Sequence, residues 1–258
     1  MPKLPATLLS IAGAAGITAL IGWRRLPKPR IARSHPLRYY LALPARWSPE
    51  RTWLILVAVD GVNHGHFRWN FLRFQHARHS LPFILISPLV VSNSGRPNFH
   101  DYPYRPEVWA QMQSQSAVPF DAAGVLAIVD EIQQTYRGEP TFYLTGWSAG
   151  GHLAWHVIFT HPECLAGAVL VGANYAGRGV TTISTAPERA QLPIYGLQGD
   201  RDARLMALNE QWQQATALAA QHGYRNITRA LIPHAPHDPF PARVFEALTQ
   251  MRANIPSD

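Results

Sequence analysis

The chain has 258 residues, 47% of them hydrophobic and 15% charged, which fits one folded domain with a sizeable core and excludes a disordered or fibrous polymer. Lys and Arg number 23 against 16 Asp and Glu, a formal charge of +7, yet no acidic residue precedes Glu50, so the excess is regional. The body after Glu50 is nearly balanced and has no recognition motif or basic-aromatic stripe, which argues against a nucleic-acid partner, and the single Cys164 excludes an intrachain disulfide.

Residues 1–33 read as an N-terminal hydrophobic anchor or signal segment with a basic flank, and residues 34–258 as one folded domain. Leu4 to Trp23 is apolar over roughly the length of a bilayer-crossing helix, and Arg24, Arg25, Lys28, Arg30 and Arg33 follow it. This charge order favours membrane attachment through residues 4–23 with the domain on the cytoplasmic side. The alternatives are an export signal cleaved near Ala12-Gly13-Ala14, an Arg-rich transit peptide, or a plain packed helix. Pro27-Lys28-Pro29-Arg30 reads as a stiff linker, because proline fixes its own φ and lacks an amide donor.

From Thr52 onward, short β-rich apolar runs alternate with amphipathic stretches. The runs Trp53–Val59, Phe83–Ile86, Thr141–Thr145, Ala168–Val171, Ile194–Leu197 and Ile227–Ile232 are continuous, as expected for strands buried on both faces. Val125, Ile128, Val129 and Ile132 fall on one helical face, and Leu208, Trp212, Ala215 and Leu218 on another. Cys164 is expected in an apolar helical run as a small buried side chain. The last helix is predicted to start with Asp238 as N-cap and Pro239 in its first turn. The fold class this predicts is α/β, a mostly parallel central sheet with helices on both faces. Asn174 to Gln191 is the one stretch with room for a lid, a short one.

Gly146-Trp147-Ser148-Ala149-Gly150-Gly151 follows the strand-like Thr141–Thr145 and precedes a helix-like run from His152. This is G-x-S-x-G in a strand-turn-helix setting, where small flanking residues permit a turn sharp enough to raise a serine hydroxyl above the sheet edge. Ser148 also stands at a helix N-terminus, where free amides favour developing negative charge.

On this motif, over about residues 50–255, the sequence resembles the α/β-hydrolase superfamily. Its Gly-Trp-Ser elbow is similar to that of the polyhydroxyalkanoate depolymerase and feruloyl esterase-like serine esterases. The resemblance implies that 34–258 is a catalytic domain in which Ser148 is the nucleophile, followed along the chain by an acid and then a histidine. The acid is Asp200 or Asp202 in Gln198-Gly199-Asp200-Arg201-Asp202, and the family's G-x-x-D spacing favours Asp202. The base is His234 or His237, and position just before the last helix favours His237. The oxyanion hole implied is the backbone N–H of Ala149 with that of Val62, or else of Gly61, from the loop Asp60-Gly61-Val62-Asn63. Many relatives carry a His-Gly-Gly type sequence there, from which Asp60-Gly61 departs.

The activity implied is hydrolysis of small-molecule or polymeric carboxylic esters through an acyl-enzyme, with no cofactor and no metal. His64-Gly65-His66 with His76 and His79 lacks acidic or cysteine ligands at metal-binding spacing. Phe67, Trp69, Phe99, Tyr102 and Tyr104 either line a substrate pocket or pack over the sheet edge. Two rival readings remain: a prolyl-oligopeptidase-like serine peptidase, and a non-catalytic, membrane-tethered binding protein of the same fold.

Overall fold

A computed structural model describes residues 27–62, 67–94, 97 and 100–253. The apolar Leu4–Trp23 segment, Asn63 with the His64-Gly65-His66 run, and Phe99 lie outside the described residues. Among the described residues no helix is long and apolar enough to cross a membrane.

The apolar runs become strands β3 (Leu54–Val59), β4 (Phe83–Pro88), β5 (Phe142–Trp147), β6 (Leu165–Val171), β7 (Ile194–Gly199) and β8 (Ile227–Ile232). Two more precede them, β1 (Arg30–Ile31) and β2 (Arg38–Ala42). The sheet has eight strands in the order β1-β2-β4-β3-β5-β6-β7-β8. Pairing is parallel from β4 through to β8, while β2 lies antiparallel to β4 and β1 antiparallel to β2. Every residue of β3 and β4 is buried, as their unbroken apolar sequences require.

The helices are α1 (Phe67–Ala77), α2 (Pro106–Gln115), α3 (Ala117–Tyr136), α4 (Gly150–Thr160), α5 (Leu205–Gln221) and α6 (Pro241–Ala253). Parallel crossovers are right-handed, so α1, which leads from β3 outward to β4, lies on the opposite face from α4, which leads from β5 the other way to β6. The ring contacts agree: Phe74 of α1 meets Phe245 of α6 at 6.2 Å, whereas Trp155 of α4 meets Trp212 of α5 at 5.8 Å. The apolar face of α3 is core, with Val125, Ile128, Val129 and Ile132 all buried. Because β4 and β5 flank β3 on opposite sides, the loops after β3 and β5 part at one sheet edge, where open α/β sheets form their crevice.

Several expectations need correction. β1 and β2 lie upstream of Thr52, and Arg30 of the proposed linker is in β1. β8 is not buried on both sides: only β7 pairs with it, and Leu231 is 57% exposed. The last helix begins at Pro241, not Asp238. The Asp238 carboxylate instead accepts from Arg73 at 2.8 Å and from the Phe240 amide at 3.0 Å. Cys164 ends a short 3-10 turn, Pro162–Cys164, and is only half-buried. Phe67, Tyr102 and Tyr104 are packed in the interior while Trp69 is exposed, so the packing reading holds for those three.

One ionisable group lies deep in this frame. Asp121 of α3 is fully buried, and its Oδ2 accepts from the Ser92 amide at 2.6 Å, fixing the loop after β4. Burial pushes its pKa from 3.8 up to about 7, against the opposing pull of the Ser92 hydrogen bonds. A carboxyl raised in the fold contributes stability that is fully present below its unfolded pKa and is lost as pH rises through the folded value. Asp121→Asn keeps an oxygen for Ser92 and cannot ionise. Its melting temperature relative to wild type is therefore expected to rise as pH goes from about 4 to about 8. Parallel Tm–pH curves for the two proteins would mean that Asp121 stays ionised in the fold.

Candidate active site

Ser148 stands between β5 and α4 with φ 50°, a left-handed conformation that costs a non-glycine residue roughly 1–3 kcal/mol. Backbone bonds hold it there: its amide donates to Val171 O at 3.0 Å, and its carbonyl accepts from Gly151 at 2.9 Å and Asn174 at 2.8 Å. The elbow glycines serve close approach. A Cβ on Gly146 would lie 2.7 Å from that of Ala154, and one on Gly150 would lie 2.6 Å from the Asp60 carbonyl oxygen.

The candidate acid Asp202 and the candidate base His237 come from the loops after β7 and β8. Asp202 is 6% exposed; its Oδ1 accepts from the Arg204 amide at 2.8 Å, and its Oδ2 accepts from Gln198 Nε2 at 2.8 Å. His237 Nδ1 lies 2.5 Å from the same Oδ2. Burial alone would raise the pKa of Asp202, but the bonds from the Arg204 amide, His237 and Gln198 outweigh it and hold the group below the usual carboxylate range. An ionised Asp202 can only accept, so the Nδ1–H of His237 is the donor in this pair. Nε2 is buried and has no hydrogen-bond partner among the described residues.

The two loops meet because the Arg201 amide donates to Ala235 O at 2.9 Å. The competing residues stand apart: Asp200 is exposed, and His234 is exposed with Nδ1 at 2.9 Å from Arg201. His152, one turn beyond Ser148, is buried away from any carboxylate bond; burial, helped by the charge of Arg178, pushes its pKa down to about 4, so it stays neutral.

Three further residues shape the site without having been read from the sequence. Trp147 places its ring 5.4 Å from that of His237, joining the serine turn to the histidine loop. Gly172 has φ +47°, and a Cβ there would lie 3.2 Å from the His237 ring. Gln198 is a buried amide at a strand end, and a polar residue so placed in an apolar run is a signal that could have found it.

On the oxyanion side, Ala149 is the N-cap of α4 and Val62 is half-exposed in the loop after β3. Gly61 is close to the turn, since a Cβ on it would lie 3.2 Å from that of Ser148. Its amide, however, donates to its own neighbour Asp60 Oδ1 at 2.7 Å and is already engaged.

Segment 174–191 contains one 3-10 turn, Pro187–Ala190, and is tied down along α4 and α5 by Ser184 N on Phe159 O at 2.7 Å and Arg189 Nε on His222 O at 2.7 Å. Among the described residues, side chains that could share a metal ion are His161, Glu163 and Cys164, at the opposite end of the sheet from Ser148. His76 and His79 only tilt their rings together, 5.7 Å apart.

No model of a known protein family matches the chain, and no curated protein matches it in sequence. Solved structures do match. A dienelactone hydrolase, so named, from Klebsiella pneumoniae aligns with a TM-score of 0.60 at 17% identity over 88% of this chain and 98% of its own. A poly(3-hydroxybutyrate) depolymerase from Bordetella parapertussis aligns with a TM-score of 0.62 at 16% identity over 89% of each chain. A dipeptidyl aminopeptidase IV, so named, from Bacteroides ovatus has a TM-score of 0.62 at 15% identity, and 89% of this chain matches 36% of that one. With its sheet order, its strand-turn-helix at Ser148 and these neighbours, the chain has the α/β-hydrolase fold.

Proposed function

We propose that the protein is a serine hydrolase that cleaves carboxylic esters through an acyl-enzyme. The observation that carries this reading is the 2.5 Å contact of His237 Nδ1 with Asp202 Oδ2, on a ring that packs 5.4 Å from that of Trp147, the residue before Ser148. His237 Nε2 takes the hydroxyl proton as Ser148 Oγ attacks the ester carbonyl carbon. The resulting oxyanion accepts hydrogen bonds from the amides of Ala149 and Val62, and loss of one such donor lowers turnover by about 10²- to 10³-fold. Collapse expels the alcohol, which takes the proton from Nε2. A water then gives its proton to His237, attacks the acyl carbon and releases the acid with Ser148 restored.

Esters rank first because the neighbours include an ester-polymer depolymerase matched over 89% of each chain and an esterase matched over 90% of this chain and 96% of its own. A poly(aspartic acid) hydrolase matched over 85% of this chain and 96% of its own keeps amides as the rival substrate class. In assays with p-nitrophenyl acyl esters, Ser148→Ala is expected to lose at least about 10⁴-fold in kcat while keeping its melting temperature. A folded wild type that is inert to esters but cleaves a proline-linked anilide would move the reading to a peptidase. Inertness to both, with no labelling by a serine-directed phosphonate, would move it to a binding protein.

The choice between neighbouring residues has its own test. Asp202→Asn and His237→Gln are expected to reduce kcat by about 10³- to 10⁴-fold, against less than about threefold for Asp200→Asn and His234→Gln. The reverse ranking in either pair would reassign the acid or the base.

A further inference from the structure

The loop after β3 holds a buried polar cluster that the proposed reaction does not use directly. Asp60, Asn70 and Asn93 are 1%, 6% and 3% exposed. A buried carboxylate costs several kcal/mol unless donors surround it. Here Asp60 Oδ1 accepts from the Gly61 amide at 2.7 Å and from Asn70 Nδ2 of α1 at 3.0 Å. Asn93 Nδ2, from the loop after β4, donates to the Asp60 carbonyl oxygen. That loop is itself fixed by Ser92 N on Asp121 and by Tyr102 Oη–H on Val90 O at 2.9 Å.

The cluster is pressed directly against the serine turn. A Cβ on Gly150 would lie 2.6 Å from the Asp60 oxygen, and a Cβ on Gly61 would lie 3.0 Å from the Trp147 ring. There is no slack between the two loops, so where the Asp60 carboxylate holds Gly61 decides where the next amide, that of Val62, stands relative to Ser148. A displacement of about 1 Å at such a donor is enough to cost about 10²-fold in rate.

We infer that Asp60 is a positioning residue for oxyanion binding: clamped by Asn70 and Asn93, it engages the Gly61 amide and presents the Val62 amide to the oxyanion formed at Ser148. The inference rests on the proposed nucleophilic role of Ser148. It also gives a physical reason for Asp60-Gly61 where relatives carry a His-Gly-Gly type sequence. In this chain an anchored carboxylate, one residue before the glycine, sets the loop.

The test compares Asp60→Ala, Asp60→Asn and Asn70→Ala with wild type on one p-nitrophenyl ester, with active serine counted by phosphonate labelling. Asp60→Ala is expected to lose about 10²-fold in kcat, with KM within about threefold and the pH midpoint of kcat unchanged, since His237 and Asp202 are untouched. Asp60→Asn keeps an acceptor oxygen for Gly61 and is expected to recover to within about tenfold of wild type, and Asn70→Ala to lose about tenfold. A folded Asp60→Ala with wild-type kcat, a loss confined to KM, a shifted pH midpoint, or an Asp60→Asn no better than Asp60→Ala each overturns the inference. Should Asp60→Ala fail to fold, Asn70→Ala decides: a kcat loss upholds the inference and wild-type kcat overturns it. A wild type that neither hydrolyses nor labels overturns the ester reading and this inference with it, whereas an active wild type beside an unaffected Asp60→Ala overturns the inference alone.

Discussion

Ser148 is held in a backbone conformation that its side chain disfavours, and the arrangement around it follows from that constraint. Three backbone hydrogen bonds, to Val171, Gly151 and Asn174, hold the serine from the neighbouring strand β6, from α4 and from the loop beyond β6. The bonds to Val171 and Asn174 make the turn depend on sheet register, so the pairing of β5 with β6 over Phe142 to Trp147 supports the strained serine, while the Gly151 bond is local to the start of α4. The glycines on either side lack side chains because the Asp60 loop, Ala154 and Ala173 already occupy the space. Local strain is thus supported by global packing, which is why the turn lies at the centre of the sheet and not at an edge.

The polar groups beside the turn fall into two sets with different physics. Asp202 is ionised in a buried place because the Arg204 amide, His237 and Gln198 all donate to it, so its charge is compensated within a few ångströms. Asp121 accepts from the Ser92 amide on Oδ2, and burial wins, pushing the group towards the neutral form. Depth and donors together separate the two: Asp121 lies deeper and burial prevails there, whereas at Asp202 the donated bonds outweigh it.

The sheet body was legible because parallel strands buried on both faces must be continuously apolar, and Leu54–Val59 and Phe83–Pro88 are. β1, two residues at the sheet edge, and β2 beside it escaped because neither is a continuous apolar run: Arg38-Tyr39-Tyr40-Leu41-Ala42 mixes a cation with aromatics and lies antiparallel. β8 was expected to be buried on both sides, but Thr228 and Arg229 interrupt its run and the strand is paired with β7 alone among the described residues. Asp238 looked like a helix cap and is engaged instead by Arg73 from another helix, a contact 165 residues apart that no local pattern encodes. At the site, motif and order singled out Ser148, Asp202 and His237 as candidates, and the structure brings Asp202 and His237 into contact while His237 Nε2 has no hydrogen-bond partner among the described residues. Gly172, Trp147 and Asn93 were not, because their importance lies in what crosses over from other loops.

The unequal support of the strands has a consequence for how the protein would fail under heat. His237 hangs from the loop beyond β8, which is paired on one side only and half exposed, whereas Ser148 hangs from β5, paired on both sides in the middle of the sheet. Partial opening of a fold starts where backbone bonds face solvent and apolar contacts are fewest. His237 would then detach from an otherwise intact body before global melting, with β8 exchanging its amide hydrogens well before β5.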